Sequence, residues 1–227
     1  MLAPLRKSGK ININAELTAR VRKITGQLVG QAVLLYPHTR SWNWSVSVID
    51  DPDTVNAWCM AGGKMAVYSG LIEKLKPTDD ELAQVMAHEV SHALANHIAE
   101  KMSMALATQL GLVGATVMTE EKRHSREILQ SASVAALFAI TLPNSRAAEI
   151  EADRMGIELA ARAGYNPFAA VSLWEKMARV SGSGPPQFLS THPSPYNRQR
   201  ILAGLATKMA QHYHPEHYHP VHPLKSG

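Results

Sequence analysis

His88 and His92 stand four residues apart with Glu89 between them, and that spacing dictates what the segment around them must become. On an α-helix, positions i and i+4 share a face, so both imidazoles reach one point in space. On a strand the same rings would sit about 13 Å apart, too far to share an ion. His-Glu-x-x-His is the pattern of a helix that carries a catalytic zinc ion, with the glutamate beside the metal as a proton acceptor. The flanks agree. Asp79-Asp80-Glu81 suits a helix start, and Leu82, Val85, Met86, Ala93 and Leu94 recur at helical spacing. A buried helix is therefore predicted over 79–100, the rigid kind of element a metal site requires. Two histidines on an ordinary core helix are the competing reading.

The chain of 227 residues is 45% hydrophobic and 19% charged, enough for one substantial core. Its net charge of +4 is scattered, and the densest basic stretch, Lys122-Arg123-His124 with Arg126, is broken by Glu120, Glu121 and Glu127. Nucleic-acid binding wants a continuous basic face with interleaved aromatics, so that class is set aside. Cys59 is the sole cysteine, which excludes an internal disulfide and a thiolate zinc cluster. Between Trp58 and Met60 it reads as a buried, inert thiol. Residues Met1 to Lys7 lack the apolar core of a signal peptide. Segments 102–118 and 131–142 are apolar but fall short of the ~20 residues a spanning helix needs. They are expected to pack on the metal helix, with peripheral membrane contact as the alternative.

The expected fold class is α+β, a mostly helical zincin-type domain with a small antiparallel sheet ahead of the metal helix. Leu17, Val21, Ile24, Leu28, Ala32 and Leu35 form a helical stripe closed by Tyr36-Pro37. Trp42, Trp44, Val46 and Val48 alternate with polar residues as a half-buried strand does. Two further strands are predicted around 55–60 and 64–68, joined by the turn Ala61-Gly62-Gly63. From Asp79 the pattern is helical, over about 79–100, 102–118, 122–141, 146–163, 167–180 and 195–210, with a breaker at 181–186. Residues 1–211 make one domain. Residues 212–227, with five histidines between His212 and Pro223, have the composition of a disordered tail. Nothing in the pattern fixes an oligomeric state.

Catalytic zinc commonly takes three protein ligands. His97 lies five residues after His92, about 140° further round a continuing helix, and is expected to point away. The metzincin pattern needs Gly at 95 and His at 98, where this chain has Ala95 and Ile98. Glu149 is the better candidate. It pairs at i, i+4 with Asp153, and Ala152 and Gly156 permit close helix approach, although an exposed acidic face would look the same.

Several motifs are similar to those of the HtpX-like and Oma-like zinc endopeptidases, gluzincins related to the CAAX prenyl proteases. They are Val55-Asn56-Ala57-Trp58, then Gly62-Gly63-Lys64-Met65-Ala66-Val67-Tyr68-Ser69-Gly70-Leu71, the zinc helix, Ser145-Arg146-Ala147-Ala148-Glu149-Ile150-Glu151-Ala152-Asp153, Ala163-Gly164-Tyr165-Asn166-Pro167 and Thr191-His192-Pro193 with Arg198. The resemblance implies one catalytic Zn²⁺ on His88, His92 and Glu149, with Asp153 supporting a ligand imidazole. It departs at Ala61, where the family often has proline. Soluble or lipid-anchored bacterial relatives are the closer pattern. A periplasmic or membrane-associated location is expected if a leader precedes the chain, and a cytoplasmic one otherwise.

The expected activity is hydrolysis of peptide bonds in protein substrates, misfolded or damaged ones above all, with Glu89 as general base. Lys64, Met65, Ala66 and Val67 are expected to form an edge strand that pairs with an extended substrate, helped by backbone groups of Asn56 and Ala57. His192 has three readings: it stabilises the oxyanion together with Arg198, it latches onto the metal's open position, or it caps the last helix. A chaperone-like envelope assembly factor with low turnover is the second function class. Metal handling by the tail is the third.

Overall fold

A computed structural model describes residues 2–97, 99–101, 103–104, 144–180, 187–193 and 197–225. The helices expected over 102–118 and 122–141 lie outside these, apart from residues 103 and 104, as do the basic stretch near 122 and the breaker at 181–186. In chain order the elements are α1 (Ala3–Lys7), α2 (Ala15–Leu35), β1 (Ser45–Ile49), β2 (Ala57–Met60), β3 (Lys64–Tyr68), α3 (Ser69–Leu75), α4 (Asp79–Leu94), α5 (Arg146–Arg162), α6 (Ala169–Arg179), α7 (Gln187–Thr191) and α8 (Arg198–Met209). Short 3-10 turns occupy Pro37–Ser41 and Ala210–His212. The fold is α+β and mostly helical.

Helix α4 starts where its sequence tells it to. Thr78 Oγ1 accepts the Glu81 N–H at 3.2 Å, and Glu81 Oε2 accepts the Thr78 N–H at 2.8 Å. Glu81 is drawn inward and receives Lys176 Nζ at 2.6 Å and Ser172 Oγ at 2.8 Å. Burial alone would raise its carboxyl, but these bonds hold it below the ordinary range. Every residue of α4 from Glu81 to Leu94 is buried, because α2, α5, α6 and one sheet face surround it. Helices α4 and α5 pack backbone against backbone at Gly156. A Cβ there would lie 2.9 Å from the His88 backbone nitrogen, so only glycine allows this approach.

Helix α4 ends at Leu94, six residues short of the predicted end. Asn96 takes a left-handed conformation (φ 59°), which turns the chain before His97.

The sheet is mixed, with strand order β1-β3-β2, where an antiparallel one was expected. Strand β3 runs parallel to β1 (Val46 opposite Met65) and antiparallel to β2 (Ala57 opposite Val67). Lys64, Met65, Ala66 and Val67 therefore lie on the central strand, with both backbone edges used. They cannot take up a substrate strand as expected. The outer edge of β1 is met by Ile11 and Lys225. Strand β2 has no second strand partner among the described residues, but Ala57, Trp58 and Cys59 are all buried. This edge is covered, and Asn56 and Ala57 do not offer a substrate the backbone groups expected of them. The β2 ladder is anchored by Tyr68 N–H donating to Asn56 C=O at 3.1 Å, which turns the backbone groups of Ala57 and Cys59 away from β3. Ala57 N–H is taken by Asn56 Oδ1 at 2.9 Å.

The expected disordered tail is instead described as far as Lys225. It runs as a strap across α2 and the start of β1. His222 N–H donates to Gly26 C=O and Lys225 N–H to Trp44 C=O, both at 2.9 Å. Arg22 donates to the carbonyls of Leu224 and Lys225 at 2.8 and 3.2 Å. The strap lies so close to α2 that a Cβ on Gly30 would collide with the Pro220 carbonyl. Among the described residues, no helix is long and apolar enough to cross a membrane.

Candidate active site

Two helices carry the site. Helix α4 presents His88 and His92 from one face, and α5 presents Glu149 and Asp153, again at i, i+4. The rings meet with Nε2 facing Nε2 at 3.0 Å. Glu149 Oε2 lies 3.4 Å from His88 Nε2, and Glu149 Oε1 lies 3.2 Å from His92 Nε2. Glu149 is wholly buried. His192, just after α7, adds its Nδ1 at 3.0 Å from Glu149 Oε1 and 3.2 Å from His88 Nε2. One donor atom from each of the four residues lies within 4.8 Å of the others. Glu89 points to the same centre. Its Oε1 is buried, sits 3.3 Å from His192 Nε2, and makes no hydrogen bond of good geometry among the described residues.

The donor set suits zinc on structural grounds. His88 Nδ1 lies 3.0 Å from Asp153 Oδ1. A carboxylate only accepts, so Nδ1 carries the hydrogen and His88 turns its Nε2 lone pair inward. Two imidazole nitrogens and one carboxylate are an ordinary catalytic zinc set. Burial pushes His92 well below the usual imidazole range, which leaves it as the neutral ligand form. Burial would raise Glu149, but bonds to His192, His88 and His92 hold it ionised. Burial also acts to lower His88, yet Asp153 and Glu149 outweigh it and raise the group from 6.5 to about 10.

At pH 7 the metal-free site therefore holds a proton on His88 that an ion must displace. Zinc titration at pH 7 in two buffers of different ionisation enthalpy is expected to show release of about one proton per ion from His88. The release should fade as the pH approaches 10.

Comparison with known proteins agrees with this geometry. The sequence profile of peptidase family M48 matches residues 15–206. The chain belongs to peptidase family M48. The family is one of peptidases, and the buried donor group of this M48 domain suits a zinc ion. The chain is 38% identical over 167 residues to the mitochondrial metalloendopeptidase OMA1 of Arabidopsis thaliana, covering 73% of this chain and 32% of that protein. To the human mitochondrial metalloendopeptidase OMA1 it is 34% identical over 169 residues, 70% of this chain and 32% of the relative. To the beta-barrel assembly-enhancing protease of Escherichia coli K12 it is 32% identical over 164 residues, 69% of this chain and 33% of the relative. The chain spans about a third of the length of these relatives.

Around the ligands, the M48 domain departs from the sequence-based expectation at three residues. One of the three readings of His192 placed Arg198 beside it at the oxyanion. Arg198 is instead buried against the acidic side of the site, with Nη2 2.7 Å from Asp153 Oδ1 and Nη1 3.3 Å from Glu149 Oε2. Its guanidinium also lies over Trp174, 3.6 Å from the ring centroid. Asn144, which no motif singled out, donates to Glu149 Oε1 at 2.7 Å, while its own N–H donates to Thr191 C=O at 2.9 Å. It ties Glu149 to the His192 loop.

His97 is the third departure. It is buried and returns to His92, Nδ1 to Nδ1 at 2.9 Å, with its Nε2 3.3 Å from Glu151 Oε2. If His92 binds an ion through Nε2, its Nδ1–H donates to His97, whose Nε2–H donates to Glu151. Each ligand imidazole thus leads to a carboxylate, His88 directly and His92 through His97. His97→Ala is expected to weaken zinc binding about 10–100-fold in a chelator-competition assay, with Glu151→Gln milder because Glu151 is half exposed. Unchanged affinity in both variants would show that the contact does not support the ligand.

Proposed function

We propose that this M48 domain is an endopeptidase for unfolded or damaged protein chains, with His88, His92 and Glu149 as zinc ligands and Glu89 as general base. The observation that carries the reading is the convergence, in one buried centre, of the three donors with a Glu89 oxygen that makes no hydrogen bond of good geometry among the described residues. When bound there, zinc acidifies a water molecule and polarises a scissile carbonyl. Glu89 Oε1 takes the proton from the attacking water and returns it to the leaving nitrogen. Burial pushes the Glu89 carboxyl up, which suits a group that must hold a proton between the two steps. Asp153 and His97 fix the ligand rings.

His192 acts in this reading as a latch. Its Nδ1 sits among the donors and its ring stacks on Phe188, with centroids 4.3 Å apart, so it occupies the space a substrate carbonyl needs. The contrasting reading is a chaperone-like factor for envelope proteins in the bacterial periplasm. One relative's name, the beta-barrel assembly-enhancing protease, and the latched geometry favour it.

Casein hydrolysis separates the two. The zinc-loaded chain is expected to cleave casein, to stop when chelated, and to recover on zinc addition. His192→Ala should raise the rate several-fold by opening the site. Zinc-loaded parent and His192→Ala chains that both leave casein intact would refute the endopeptidase reading, and a rate lowered by His192→Ala would refute the latch.

A further inference from the structure

Before it docks on α2, the C-terminal strap makes a turn between Gln211 and His219 that faces solvent. His217 N–H donates to His214 C=O at 3.1 Å and closes the turn. His219 secures it, with Nε2 2.9 Å from the His214 carbonyl and Nδ1 3.1 Å from the Arg162 carbonyl at the end of α5. The turn brings three donors together. Glu216 Oε1 stands between His214 Nδ1 at 3.6 Å and His217 Nε2 at 3.5 Å, and the two rings stack with centroids 4.8 Å apart.

The hydrogen-bond partners decide which nitrogen is free to bind. His214 Nε2 lies 3.2 Å from the Gln211 carbonyl oxygen. A carbonyl only accepts, so Nε2 carries the hydrogen, and the neutral ring turns the Nδ1 lone pair towards Glu216. A lone pair facing a carboxylate oxygen is unfavourable until a cation lies between them. The ring is thus held in the tautomer a metal ligand needs, by the kind of backbone contact that orients metal-binding histidines.

We propose that His214, Glu216 and His217 form a second divalent-cation site, on the surface and separate from the catalytic centre. Two imidazoles and one carboxylate select zinc or a neighbouring transition-metal ion over magnesium or calcium. All three donors come from four consecutive residues, so the site forms locally and leaves further positions to water. Its exposure makes it the weaker of the two sites, filled only at higher free metal. The ion fastens the turn and with it the strap, whose far end crosses α2 and meets β1.

The test is Zn²⁺ titrated into the metal-stripped full chain, with bound ions counted by equilibrium dialysis at defined free Zn²⁺. Two ions per chain are expected in the parent and one in His214→Ala/His217→Ala, with the tighter ion unaffected. Both substituted side chains are exposed, so the variant keeps its fold. Amide exchange over residues 213–225 should slow as the second ion binds, in the parent alone. A single ion in the parent, a second ion that survives the double substitution, or exchange indifferent to the second ion each overturns the proposal.

Discussion

Glu89→Gln is expected to cost about 10²–10⁴-fold in turnover while the chain keeps its zinc and its fold. Glu89 is one residue from His88 but offers the centre no ligand atom. Its nearest contact there is His192 Nε2 at 3.3 Å. Glutamine has the same volume, so the packing around a residue only 1% exposed is undisturbed. What is lost is the ability to accept a proton. Metal content and melting temperature measured beside casein cleavage make the result interpretable. Lost turnover with retained zinc supports the general base. Lost turnover with lost zinc would mean that Glu89 shapes the ligand geometry, and full activity would remove it from the mechanism.

The second large effect is expected at Arg198, and it concerns stability and metal affinity more than chemistry. One guanidinium donates to both acidic side chains that α5 sends into the site, and all three groups are buried. Arg198→Met keeps most of the stem but takes the guanidinium away from Glu149 and Asp153. Breaking a buried charge cluster from one side costs about 3–5 kcal/mol. For a domain of this size that is a fall of about 6–20 °C in melting temperature. The fall should be largest in the metal-free protein, because a bound ion supplies part of the missing positive charge. Arg198→Lys should recover little, since a point charge cannot span two carboxylates and also lie flat on Trp174. Calorimetry of parent, Met and Lys variants with and without zinc tests this. Equal melting temperatures in the metal-free forms would show that the cluster contributes nothing net.

What the sequence revealed and what it hid follow from the range of the interactions concerned. His88, Glu89 and His92 were legible because helical geometry acts over four residues, and Glu149 with Asp153 repeats the same spacing. Gly156 was legible as a contact point because small residues on a helix face have few other uses. The position of β3 was not legible. The hairpin with β2 is local, but its parallel pairing with β1 joins residues about twenty apart and leaves no periodic mark. His97 was misjudged because the 140° offset holds only while the helix continues, and Asn96 ends that continuity. The strap misled through composition. Proline and histidine make no core, yet this segment docks through backbone bonds to Gly26 and Trp44, and composition carries no record of such bonds.

The ligands' position on two helices has a consequence for how long the folded chain lasts. His88 and Glu149 are far apart in sequence, so an ion held by both is a removable cross-link that closes a loop of some sixty residues. A disulfide persists in the unfolded chain and restricts it, whereas such an ion leaves as the chain unfolds and stabilises only the folded form that it binds. The link is made and broken by the concentration of a dissolved ion. An M48 domain stripped of zinc loses a fastener along with its catalyst, and becomes a better substrate for the proteases around it. If His88 and Glu149 hold the ion, the lifetime of the folded chain is expected to follow metal supply.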